Sequence, residues 1–150
     1  MPNHRTHIRT GIAVGGLTAL ARAAAQPDMC CLVEALGGLA GGAIGGIAPD
    51  VLEPAISPNH RKLAHSVATA GAISLAKVAE WQDMCRRRGA TATQTALSCA
   101  AGTRERADAE FAAFGWSFLA GFIAGFFAGY ASHLALDAVT ARGLPLWGLG

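Results

Sequence analysis

Apolar positions along the chain gather in long blocks, separated by proline or by short polar stretches. No stretch alternates with period two for long enough to make a strand, so the pattern predicts helices. The first runs from about Ile8 to Ala25 and stops before Pro27. The second runs from about Met29 to Ala48 and stops at Pro49, after which Pro54 and Pro58 keep the loop extended. The third runs from His60 or Arg61 to Arg87, with Ser57 and Asn59 as candidate caps. The fourth runs from about Arg104 to Val139 and is ended by Gly143 and Pro145. Residues 89–103, GATATQTALSCAAGT, are small and polar and read as a loop within a single domain, 1–150. The expected fold is all-α: a small up-down bundle of about four Gly/Ala-rich helices.

Glycine recurs every fourth position inside two of these blocks. The second carries Gly37, Gly41 and Gly45 beside Gly38, Gly42 and Gly46, and the fourth carries Gly121, Gly125 and Gly129. A glycine inside a helix costs roughly 1 kcal/mol relative to alanine. Residues four apart share a helix face, and glycine there lets two backbones approach closely, the glycine-zipper arrangement of membrane helices. Continued by four, the last stripe reaches His133 and then Asp137.

An up-down bundle collects these polar residues at one pole. His7 starts the first helix, Asp50 follows the second, His60 and His65 start the third, and His133 and Asp137 end the fourth. Neutral imidazole and carboxylate are ligands for zinc and also suit manganese or iron. A metal there would activate water for hydrolysis. Taken alone, His133 and Asp137 also fit a plain hydrogen-bonded pair. Arg61, Lys62 and Arg142 fall at the same pole and offer a phosphate grip or ordinary solvated charge. Glu53 is a further ligand, a general base or a solvated loop residue. Ser66 and Thr140 suit outer-shell roles. His4 reads as part of a mobile terminus.

Composition adds the setting. The chain is 52% hydrophobic and only 15% charged, with a formal net charge of +2. That excess is too small to argue for nucleic acid. Residues 111–132 carry no charge, which clears the roughly 20 positions needed to cross a bilayer. The localisation expected is therefore a membrane, integral or tightly associated, with lipid as a partner. The alternative is a compact cytoplasmic bundle. Arg86, Arg87 and Arg88, with Arg104 and Arg106, make the long connection the most basic region and assign it to the cytoplasmic side. The start of the chain loosely mimics a signal peptide, but Arg22 interrupts its apolar part, and retention is expected. Cys30, Cys31, Cys85 and Cys99 form no CxxC pair and read as free thiols.

Three pieces, PDVLEP (49–54), NHRKLAHS (59–66) and GYASHLALDAVTARGLPLWG (129–148), resemble a family of bacterial inner-membrane-associated metal-dependent hydrolases, one member of which is described as LexA-binding. The last motif matches at Gly129, Tyr130, Ser132, His133, Asp137, Thr140, Gly143, Pro145 and Leu146. That family is similar to zinc-dependent phospholipases C and single-strand nucleases, which are all-helical and hold zinc with His and Asp. The resemblance implies His7, Asp50, His65, His133 and Asp137 as metal ligands. It implies the bacterial inner membrane as the location but supplies no substrate; the expected chemistry is hydrolysis of a phosphoester, a lipid phosphoester included, with Arg61 or Arg142 steadying the phosphate. Many members carry Asp-x-Asp-His in the loop, where this chain has Asp50, Val51, Leu52 and Glu53. That departure favours the rival function: a non-catalytic structural or interaction protein, its glycine faces serving homo-oligomer or partner packing.

Overall fold

The computed structural model describes residues 4–24, 30–52 and 75–139, and within them the chain is all-α. The helices are α1 (His4–Ala23), α2 (Cys30–Gly45), α3 (Ala48–Leu52), α4 (Leu75–Ser98) and α5 (Arg104–Ala138). α5 is central and packs against α1, α2 and α4, while α1 also packs on α2. Neighbours show the directions. Gly11 faces Gly42 and Gly15 faces Gly38, so α1 and α2 are antiparallel. Trp81 lies against Phe127 and Gly89 against Ser117, so α4 and α5 are antiparallel too. α2 and α5 run parallel and end at the same pole.

The glycine stripes make this arrangement possible. A methyl group at Gly37, Gly41 or Gly45 would fall on the carbonyl oxygen of Phe118, Phe122 or Phe126 in α5. One at Gly15 would lie 2.6 Å from the Gly38 oxygen and 2.7 Å from the Gly42 Cα. The return face of α5 obeys one register: Gly121 meets Glu34, Gly125 meets Gly38 and Gly129 meets Gly42. All these faces are therefore filled within one chain. A homo-oligomer using them would have to displace the intrachain contacts.

Two boundaries differ from the pattern-based expectation. α2 does not run through Ala48; it ends at Gly45, and Asp50 sits in the separate turn α3. Pro49 has no N–H to give the Gly45 carbonyl, so the helix cannot continue past that point. Residues 89–98 are helix, not loop, and extend α4 to Ser98. The threonines there do not compete with the helix, because Thr91, Thr93 and Thr95 hydroxyls each donate to the carbonyl four residues back. The connection shrinks to five residues. In it Gly102 takes φ +80, a value that favours glycine, and Thr103 caps α5 by accepting from the Arg106 N–H.

A polar cluster sits at the opposite end from the α2 and α5 C-termini. Glu34 is buried and takes a bidentate hydrogen bond from Arg86, at 2.9 Å from Nε and 2.7 Å from Nη2. Beside it, Gln82 accepts from Arg22 and donates to the Ala120 carbonyl at 3.1 Å. Glu34 is the lone charge of α2, and pairing is what makes its burial tolerable. Cys31, Cys85 and Cys99 are free thiols.

Substitution separates the packing glycines from the rest. Gly41→Ala places a methyl on the Phe122 carbonyl and 2.8 Å from the Phe126 nitrogen, and should cost about 1–3 kcal/mol by overpacking. Gly115→Ala meets nothing within 4 Å and should gain up to about 1 kcal/mol of helix propensity. Thermal unfolding of the two variants in detergent should move in opposite directions.

Candidate metal centre

The shared pole holds α1's first turns, α3 and the end of α5. His7 and Asp137 are each 2% exposed and His133 is fully buried. Asp50 is half-buried. The His7 and His133 rings stack with centroids 3.8 Å apart. Their arrangement follows from the helix register. The sequence of pairs 34/121, 38/125 and 42/129 continues to 46/133, where glycine gives way to imidazole. There His133 Nδ1 lies 2.7 Å from the Gly46 carbonyl, just past the break that ends α2. A carbonyl can only accept, so Nδ1 carries the proton, which leaves Nε2 as the atom of His133 that can offer a lone pair.

Nε2 of His133 lies 3.6 Å from Asp50 Oδ1 and 3.7 Å from Asp137 Oδ2. Nε2 of His7 lies 3.8 Å from Asp137 Oδ1. These separations are too long for hydrogen bonds. They are close to the spacing of two ligands on one tetrahedral ion, about 3.4 Å for bonds near 2.0–2.1 Å. One donor atom from each of His7, Asp50 and His133 lies within 4.8 Å of the others. His7 Nδ1 is buried and makes no hydrogen bond to a described residue. Two imidazoles and two carboxylates brought this close are a donor set that fits a divalent cation. Two helix C-termini, those of α2 and α5, add partial negative charge at this pole.

Burial pushes the His7 pKa below its ordinary value; His133 stacked beside it acts in the same direction, and the Asp137 and Asp50 carboxylates oppose. His7 is accordingly neutral at pH 7, the form a metal requires.

Of the residues the sequence singles out, His7, Asp50, His133 and Asp137 come together. His65, Glu53, Arg61 and Arg142 lie outside the described residues, as do His60, Lys62, Ser66 and Thr140. His4 is not a loose terminal residue. It is the first residue of α1, exposed, with Nδ1 3.4 Å from Asp50 Oδ2. The signal was its spacing of three from His7, which places both on one helix face. The Gly46 carbonyl was also missed, because backbone groups leave no trace in residue type.

The profile of the YdjM inner membrane protein family matches residues 1–148, so the chain belongs to that family. No curated protein and no solved structure matches it. Membership places the chain at a membrane; α5 is the one described helix long and apolar enough to cross one, with mean hydropathy 1.7 in its best window.

Elemental analysis of protein purified without chelator tests the centre. His133→Ala and Asp137→Ala should each lower bound divalent metal at least about tenfold relative to the parent. Exposed His4→Ala should retain most of it.

Proposed function

We propose that this member of the YdjM inner membrane protein family is a membrane-associated, metal-dependent hydrolase acting on a phosphoester. The observation that carries the reading is the convergence of His7, Asp50, His133 and Asp137 from three helices on one small volume. A divalent ion, zinc by preference and manganese or iron otherwise, would supply there a water of lowered pKa and a Lewis acid for the phosphoryl oxygen. The chain's own residues prepare the place. The Gly46 carbonyl holds His133 in one tautomer and one orientation. Asp137 faces both imidazoles, and its burial keeps bulk water from competing for them. Asp50 is the most open of the four and would be the ligand nearest an entering substrate. His65 is a further ligand in this proposal, Arg61 or Arg142 the grip on the phosphate, and Glu53 a candidate base.

One observation favours the non-catalytic rival. The bond from His133 to Gly46 and the His7–His133 stack tie α1, α2 and α5 together without any ion. In that reading the site is a structural lock, and the protein folds fully without metal.

Turnover decides between them. Full-length protein in mixed micelles, supplied with zinc or manganese, should hydrolyse bis(p-nitrophenyl) phosphate or a phospholipid headgroup. Both His133→Ala and Asp137→Ala should reduce that rate by at least about 100-fold, more than is typical for an outer-shell change. Activity surviving both substitutions would remove this centre from the chemistry. A metal-free protein with unaltered folding and no turnover would favour the lock.

A further inference from the structure

α5 passes a length-and-composition test for a membrane span, but its neighbour makes a simple crossing costly. α4 packs along α5 from Phe127, beside Trp81, to Ala113, beside Gly89. That stretch is the middle of the charge-free run of α5, between Glu110 and Asp137. The inward face of α4 is Val78, Gln82, Cys85, Gly89 and Ala96, all buried. The outward face shows Lys77, Glu80, Asp83 and Arg87, all exposed, with Lys77 and Glu80 paired at 2.6 Å, while Arg88 reaches over the Trp116 ring of α5. Were α5 to cross a bilayer upright, α4 would carry those charges into the hydrocarbon centre, where ionised side chains are rare and costly.

α2 shows the opposite chemistry. Its single charge, Glu34, is buried, and every side chain it exposes is apolar. Leu32 is 61% and Leu36 is 55% exposed, with Leu39 and Ile44 on the same outer side. α1 also exposes Leu17 and Leu20, but between the charges of Arg5, Arg9 and Arg22. The two helices contact different faces of α5: α2 through Gly121, Gly125 and Gly129, α4 through Ala113, Trp116 and Ser117. The bundle is thus amphipathic as a body, with a greasy side and a charged side.

We infer that the exposed face of α2 is seated in lipid acyl chains while the outer face of α4 and the arginines of α1 remain in water, so that the described bundle lies along the membrane interface instead of crossing it through α5. Leucines against acyl chains recover the apolar burial that water denies them, and the charges of α4 keep their hydration. The aromatic column Phe114, Phe118, Phe122 and Phe126, stacked at 6.3–6.4 Å, runs along α5 at the flank of α2 and extends the apolar side. The inference rests on family membership and surface chemistry, not on the metal reading, and its test is run with chelator present.

The experiment uses the full chain in native membranes opened to both sides, with Cys30→Ala, Cys31→Ala, Cys85→Ala and Cys99→Ala as background. Asp83→Cys and Glu80→Cys report on α4, and Leu32→Cys and Leu36→Cys on α2. A membrane-impermeant maleimide should label both α4 positions at least about tenfold faster than both α2 positions, since only a hydrated thiol ionises and reacts. A spin label at Leu36→Cys should relax faster with oxygen than with a water-soluble nickel chelate. Protection of both α4 positions until detergent is added would overturn the inference, as would equal labelling of α2 and α4. Spin–spin broadening at Leu36→Cys would assign that face to a second copy and overturn the lipid assignment.

Discussion

The backbone-to-backbone contact between α2 and α5 is the constraint from which the rest follows. Two parallel helices approach until carbonyl oxygens of Phe118, Phe122 and Phe126 occupy the space a methyl at Gly37, Gly41 or Gly45 would need. Such contact has almost no side-chain entropy to lose and accumulates dispersion along the whole seam. It also sets the register without tolerance, because a slip of one residue would drive Leu36 or Leu39 into the opposite backbone. The register then carries His133 to the Gly46 carbonyl. The polar pole is a consequence of where the glycines stop.

That helps explain how a chain only 15% charged keeps ionisable groups in its interior. Several of its buried polar groups, charged and neutral, are held by partners that the packing delivers. Glu34 has Arg86, Gln82 has Arg22 and the Ala120 carbonyl, and His133 has Gly46. Breaking a buried ion pair such as Glu34–Arg86 by removing one partner typically costs about 3–5 kcal/mol, because the other charge is left buried and unmatched. The two polar clusters therefore brace opposite ends of the glycine seam. One is closed by its own ion pair. The other gathers two imidazoles and two carboxylates, a set whose members repel within each kind and attract between kinds. A cation at their centre would relieve the carboxylate repulsion and satisfy the imidazole lone pairs together.

Function and membrane seating meet in the same geometry. A protein of an inner-membrane family needs an apolar surface, and the proposed hydrolytic centre would need access from water. The chain separates them: leucines on α2 outside, and the His/Asp pole at helix ends, where Asp50 is the open residue. α4 lies on the charged side, its buried stripe against α5 and most of its charges outward.

The all-α architecture was legible in the sequence, because prolines, missing strand periodicity and four-residue glycine spacing are local features. The meeting of His7, Asp50, His133 and Asp137 was legible too, since antiparallel connections bring alternate helix ends to one pole. The extent of α4 was not, because small and hydroxyl side chains at 89–98 suit a loop or a helix equally; the carbonyls four residues back decided it. Nor was the role of His4, the buried pairing of Glu34 with Arg86 or the Gly46 contact. Each depends on which backbone or side chain arrives from a distant segment. The face of α5 that α4 covers is of the same kind. Hydropathy counts the residues of a helix one by one, but only tertiary packing decides which of them a charged neighbour lies across.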